Sequence, residues 1–211
     1  MAANKNYARN VFINCPFDKT YLPIFRAICF AVHDAGFRAR CALEETDTSK
    51  TRLGKIQRII AECKYSIHDL SRVESSSTKN PLPRFNMPFE CGLFFGAIHF
   101  GDKNHKKKQL LVLDSEQYRY QATLSDIAGQ DISCHGNSPL TAIANIRRFL
   151  NTKESLVSLL GERMMQRRYL AFMKDLPKIA KKSGFTLTEI KSLDYWPDMT
   201  RAMAKWQQDI G

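Results

Sequence analysis

Across the first 150 residues, short apolar runs alternate with longer segments whose apolar residues recur at helical spacing, and this alternation is the feature that most constrains the fold. Val11–Asn14 reads as a strand, and Tyr21–Ala35 as a helix with Ile24, Ile28, Ala31, Val32 and Ala35 on one face. Gly36 stops that helix as a C-terminal cap. Phe37–Leu43 reads as a second strand, and Leu53, Ile56, Ile59 and Ile60 mark a second helix. Tyr65–Leu70 and Gln109–Asp114 are two further strands around a helix at Pro88–Phe100, and Ile132 marks a short fifth strand before a helix at Pro139–Leu150. Strands alternating with helical crossovers of this length predict an α/β fold, a parallel sheet of about five strands covered by helices on both faces.

From Asn151 the pattern is helical only. Leu156, Leu159, Leu160, Met164, Leu170, Met173 and Leu176 recur at near-helical spacing up to Pro177, and a second piece around Asp198–Gln208 carries Trp206. The expected organisation is an α/β domain over residues 1–150 and a helical extension over residues 151–211. The extension has three open roles: packing on the domain, forming a homo-oligomer, or meeting another partner.

The N-terminus lacks the apolar stretch of a signal peptide, and no apolar run approaches the roughly 20 residues of a membrane span. A soluble, cytoplasmic protein is expected. The six cysteines are scattered without a CxxC pair or a His cluster, which predicts reduced, mostly buried thiols and neither metal nor disulfide framework. The net charge of +11 raises nucleic acid as a partner, but the excess is spread. Its only run, Lys106-Lys107-Lys108, reads as solvated loop charge ahead of a strand. An anionic nucleotide ligand accounts for part of the same excess.

In a parallel sheet of this kind ligands bind outside the carboxyl ends of the strands. Three segments stand there: Asn14-Cys15-Pro16-Phe17-Asp18, His68-Asp69-Leu70-Ser71-Arg72, and Arg84-Phe85-Asn86-Met87-Pro88-Phe89-Glu90. Glu90 is the only Asp, Glu, Lys or Arg between Arg84 and Asp102, on a helix apolar nearly all round, which predicts that the helix is buried on every side. A buried carboxylate is expensive unless something stabilises it. With Pro88 as first helical residue, Glu90 would fall at the third position and cap free amides, so a functional and a capping account both stand. Asp69 is a second candidate acid or a turn former. His68 should point to the opposite face of its strand from Asp69. Asn14, Pro16, Phe17, Asp18, Ser71, Arg84 and Asn86 are the candidate substrate-binding residues.

A first strand ending in a Pro-Phe turn, a third ending in Asp69-Leu70-Ser71, and a helix opening Phe89-Glu90-Cys91-Gly92-Leu93 together resemble the nucleoside 2-deoxyribosyltransferases and, more widely, the TIR-type NAD glycohydrolases. The resemblance covers about the first 115 residues and implies a flavodoxin-like, doubly wound sheet. It implies that Glu90 attacks or stabilises the anomeric carbon of a sugar and that Asp69 is the strand-end acid. The transferases carry an Asp-Pro-Gly-Thr-like turn where this chain has Arg84-Phe85-Asn86-Met87-Pro88. That exchange of an acid for a cation favours a phosphate-bearing ligand over a free deoxynucleoside. The block from Val11 to Gly136 also resembles bacterial proteins of unassigned activity.

The expected function is therefore an N-glycosidase cleaving the base–ribose bond of NAD or a related nucleotide, with the nucleotide as substrate and no cofactor. Relatives of this fold act in bacterial antiviral defence as effectors and as sensors. The alternative expectation is accordingly a non-catalytic module that binds a nucleotide signal.

Overall fold

The computed structural model describes residues 6–74, 83–151 and 158–210. Strands β1 (Asn10–Asn14), β2 (Arg38–Arg40), β3 (Tyr65–Asp69), β4 (Gln109–Asp114) and β5 (Ser133–Cys134) form a parallel sheet in the order β2-β1-β3-β4-β5. Helices α1 (Leu22–Asp34), α2 (Arg52–Glu62), α3 (Asn86–Phe100) and α4 (Pro139–Asn151) cover it, followed by α5 (Glu162–Lys182), α6 (Leu187–Lys191) and α7 (Trp196–Ile210). This is the flavodoxin-like winding: the chain steps outward from β1 to β2, then returns past β1 to β3, so the order reverses between β1 and β3.

Every residue of β1 and β3 is buried, as expected of strands covered on both faces. Val11, Ile13, Tyr65 and Ile67 join the larger core, with α1, α4, α5 and α7. Phe12 turns the other way, against Ile56, Ile59 and Ile60 of α2 and Phe94 of α3. Strand β2 is shorter than the sequence suggests. After Arg40 the chain leaves the sheet into a turn of 3-10 helix, where Glu44 accepts from the Cys41 amide and pairs with Arg40. Leu53, expected on the buried face of α2, is exposed: it sits in the first turn, at the edge of the Ile56–Ile59–Ile60 stripe.

The periodicity assigns α1 a single apolar face, yet all of Ile24 to Val32 is buried. The extension is the reason. Phe30 packs among Tyr169, Phe172 and Trp206, and Phe25 stacks on Trp196 at 4.0 Å between ring centroids. Each such side chain contributes on the order of 1.5–3 kcal/mol when fully buried. Helix α5 faces this core with Met165, Tyr169, Phe172, Leu176 and Ala180, spaced by four, three, four and four residues. Leu160, Met164 and Leu170 of the expected stripe are instead exposed, and Leu156 lies outside the described residues. The helix also runs through Pro177 to Lys182 rather than stopping there. Burial of Leu176 and Ala180 on either side outweighs the lost backbone bond.

Gly36 ends α1 with φ +77°, as its C-cap role requires. The cysteines are free; all but Cys134 are buried. No helix among the described residues is long and apolar enough to cross a membrane.

Lys108 corrects the reading of the basic run. Lys106 and Lys107 are exposed, but Lys108 is buried, its Nζ donating to the carbonyls of Ile60 and Cys63 at the end of α2. The ammonium also lies 4.9 Å and 5.2 Å from the Tyr7 and Phe94 ring centroids. Burial lowers its pKa to about 8. Lys108→Met keeps the stem but orphans two helix-end carbonyls. It should lower the unfolding free energy by roughly 1.5–3 kcal/mol in urea titrations at pH 7, where Lys106→Met should change it little.

Candidate functional site

The reversal of strand order opens a crevice at the carboxyl end of β1, and the structure has a cavity of about 350 Å³ there. It is lined by Asn14, Cys15, Pro16 and Phe17 after β1, by Arg84, Asn86, Met87 and Glu90 at the start of α3, and by Arg52 at the start of α2. A larger cavity among α5, α6 and α7 contains none of these residues.

Helix α3 begins two residues earlier than the Pro88 start that the capping account assumed. The Phe89 amide already donates to the Phe85 carbonyl, so Asn86 is the first helical residue and Glu90 the fifth. Pro88 then occupies the third position, where its missing N–H is no loss. Glu90 thus lies beyond the first turn and caps none of the free amides. Its side of the helix, with Met87, Cys91 and Phe94, faces the sheet.

Glu90 is 6% exposed. Among the described residues no hydrogen bond reaches its carboxyl group. Burial pushes its pKa up to about 7, against a smaller downward pull from Arg52. A carboxyl group with a proton affinity near neutrality, unpaired and lining a cavity, is chemically poised.

Asn14 anchors the helix start. Its Nδ2 donates to the Met87 carbonyl and meets His68 Nδ1, both at 2.9 Å. The two amide protons are thus spent on α3 and on β3. His68 points away from Asp69, as predicted, and the face it meets is that of α3, with Phe12 and Phe94 edge-on to its ring and Ser66 on Nε2. Burial lowers its pKa to about 3, so it is neutral packing.

Asp69 does not share the cavity. It follows Ile67 on the alternate face of β3, the face of α1 and α4. There it is fully buried, accepting from the Tyr21 hydroxyl and the Ser71 amide, with His135 Nε2 3.0 Å away and off the hydrogen-bond axis. Burial pushes its pKa up, but His135, Ser71 and Tyr21 outweigh it and hold the carboxylate below its ordinary value. Ser71 goes with Asp69 and is likewise absent from the cavity wall.

Asp18 stands behind the wall. It accepts from Thr20 and the Tyr21 amide ahead of α1, and its Oδ2 lies 3.3 Å from Arg84 Nη1. These contacts, with the pull of Arg72 and Arg84, outweigh burial and lower its pKa. Of the expected site residues, the cavity gathers Asn14, Pro16, Phe17, Arg84, Asn86 and Glu90, and leaves out Asp69, Asp18 and Ser71. Arg52 was missed. Its signal was position: it follows Thr51, whose Oγ1 caps α2 by accepting from Gly54, so it begins the helix after β2.

Two arginines beside the first turns of two helices favour an anionic group. Among the described residues no group of His, Cys, Asp and Glu is arranged to hold a metal. Comparison with family models, curated proteins and solved structures finds no match to this chain.

Proposed function

We propose that this chain is an N-glycosidase of the deoxyribosyltransferase-like and TIR-like kind, cleaving the base–ribose bond of NAD or a related nucleotide at the cavity around Glu90. The observation that carries this reading is Glu90 itself: a buried carboxyl group without a hydrogen-bond partner, lining a cavity at the reversal of strand order. Scission of a nicotinamide–ribose bond sends the bonding pair to the ring nitrogen and cancels its positive charge. The sugar is left oxocarbenium-like, and an adjacent carboxylate stabilises or traps it until water adds at the anomeric carbon. A purine leaves less readily and calls for a second, protonated group. Glu90 is the carboxyl group that lines the cavity among the described residues, which favours the cationic leaving group. The volume suits one nucleotide's worth of ligand at the lower end of small-molecule sites.

The direct test incubates the purified protein with NAD and with a panel of nucleotides and nucleosides, following free base. Release from NAD, abolished in Glu90→Gln, is expected. Binding without base release from any of them would reject the enzymatic reading.

One feature favours the sensor alternative specifically. Phe17 of the cavity wall meets Phe25 at 5.2 Å, and Phe25 stacks on Trp196 at the start of α7. A ligand that shifts Phe17 would thus disturb the extension, and a change in tryptophan fluorescence without turnover is what a sensor would give.

Arg84 and Arg52 supply the expected preference for phosphate. Arg84→Ala should weaken binding of a 5′-nucleotide by roughly 1.5–3 kcal/mol and leave the matching nucleoside nearly unchanged. Asp18→Asn, which removes the ion pair between Asp18 and Arg84, should shift the same difference less. Titration calorimetry on each ligand pair decides this, and wild-type protein with no preference for the phosphate would refute it.

A further inference from the structure

Helix α3 turns Met87, Glu90, Cys91 and Phe94 to the sheet, but its outer side departs from the burial that its composition predicts. At 100° per residue, Phe85, Phe89, Gly92, Gly96, His99 and Phe100 fall within one stripe about 100° wide. Along that stripe Phe85 is 67% exposed, Phe89 54% and Phe100 91%. It carries no Asp, Glu, Lys or Arg, and His99 is its only ionisable group. Solvated helix faces do not look like this. The outer side of α2, by contrast, shows Gln57 and Arg58.

The two glycines sharpen the point. A Cβ at Gly92 or Gly96 would meet nothing within 4 Å, so packing among the described residues does not ask for either. Each nevertheless weakens the helix by about 1 kcal/mol relative to alanine. They form a shallow notch at mid-helix between aromatic ridges at both ends.

We propose that this α3 face is the contact surface of a homodimer, in which two copies cross antiparallel about a two-fold axis that passes midway between Gly92 and Gly96. A self-complementary, uncharged surface suits an isologous contact, where the same patch serves both partners. With the axis there, Gly92 of one copy faces Gly96 of the other and the backbones approach closely. Phe89 then lies beside Phe100 of the second copy, at both ends of the contact. The three phenylalanines expose about the area of two whole side chains, roughly 400 Å². That is half of the ~800 Å² a stable interface takes from each partner, and the half-buried Leu93 and Ala97 on its flank add to it. The extension does not compete for this role with its main apolar face, which is already spent on α1. Arg84, Asn86 and Glu90 alternate with Phe85 and Phe89 along the chain, so the second copy would stand beside the mouth of the cavity. The dimer is independent of the proposed chemistry, and its failure leaves that reading untouched.

Sedimentation velocity across a wide concentration range tests it. The wild-type chain should run as a dimer, and Phe89→Glu combined with Phe100→Glu as a monomer with unchanged circular dichroism. Gly92→Leu discriminates further: it removes a helix-weakening glycine, and the new Cβ meets nothing within 4 Å among the described residues, so its melting should hold or improve while the dimer is lost. A monomeric wild type at every concentration overturns the proposal. So does a dimer that survives these substitutions but is lost on Leu170→Glu in the extension. Flotation of a monomeric wild type with anionic vesicles would overturn it in favour of a lipid-facing stripe.

Discussion

Glu90→Gln should reduce base release from NAD by roughly 10²–10⁴-fold while the protein becomes more stable at pH 8. The two effects have one origin. Burial holds the folded-state pKa at about 7, above the ordinary 4.5 of a glutamate. Between those values the folded chain binds more protons than the unfolded one, so stability is complete below about pH 4.5 and falls as pH rises to about 7. Above pH 7 the ionised carboxylate works against the fold by about 3 kcal/mol, and the uncharged amide removes that penalty. The wild-type-minus-variant difference in urea midpoint should therefore be near zero at pH 4.5 and favour the variant at pH 8. Acting as nucleophile or charge stabiliser, Glu90 must be ionised, so kcat/KM should rise with pH to a plateau above about 7. A variant that keeps its activity and melts lower at pH 8 would mean that Glu90 is a structural group whose partners are not those described.

Asp69→Ala should be the most destabilising single change in the chain, at roughly 3–5 kcal/mol against a total on the order of 5–15 for a domain. It strands the Tyr21 hydroxyl and the Ser71 amide without an acceptor in a buried site and removes the carboxylate beside His135. Asp69→Asn keeps the volume but turns an amide donor toward these donors, so it should rescue little. The pH dependence has the opposite sign to that of Glu90. With its folded-state pKa held below the ordinary 3.8, Asp69 contributes stability above that value and loses it as pH falls through the folded pKa. The gap between wild type and Asp69→Ala should accordingly narrow in acid. Urea midpoints at pH 7 and below pH 4 measure both effects. Unchanged stability with lost turnover would return Asp69 to the role of strand-end acid.

These two carboxyl groups show how far residue pattern reaches. Glu90 stood out because it interrupts an apolar helix, and that is a local property of the chain. The alternation of strand residues was also legible: it placed His68 and Asp69 on opposite faces, as found. What it could not supply was which face α3 covers. That follows from strand order, since right-handed crossovers put the helix between β1 and β2 on one side of the sheet and the helix between β3 and β4 on the other. With the order β2-β1-β3-β4-β5, Glu90 falls to the His68 side and Asp69 to the α1 side, so the expected pair of acids separates.

The same division runs through the rest of the molecule. Period, caps and turn residues act over a few positions, and by themselves they determined the succession of strands and helices, the parallel sheet, the Gly36 stop and the strand-end loops that form the cavity. Burial depends on what a distant segment lays over a surface. Lys108 is solvated or buried according to whether the end of α2 and Tyr7 meet it, and Arg52 joins the cavity because α2 and α3 start side by side. The outer face of α1 is closed because α5 and α7 return across it, whereas the apolar outer face of α3 stays open because no segment among the described residues comes back to cover it. Those were decisions of the tertiary structure, because the free energy of burying a group belongs to the pair of surfaces that meet and not to either stretch of sequence alone.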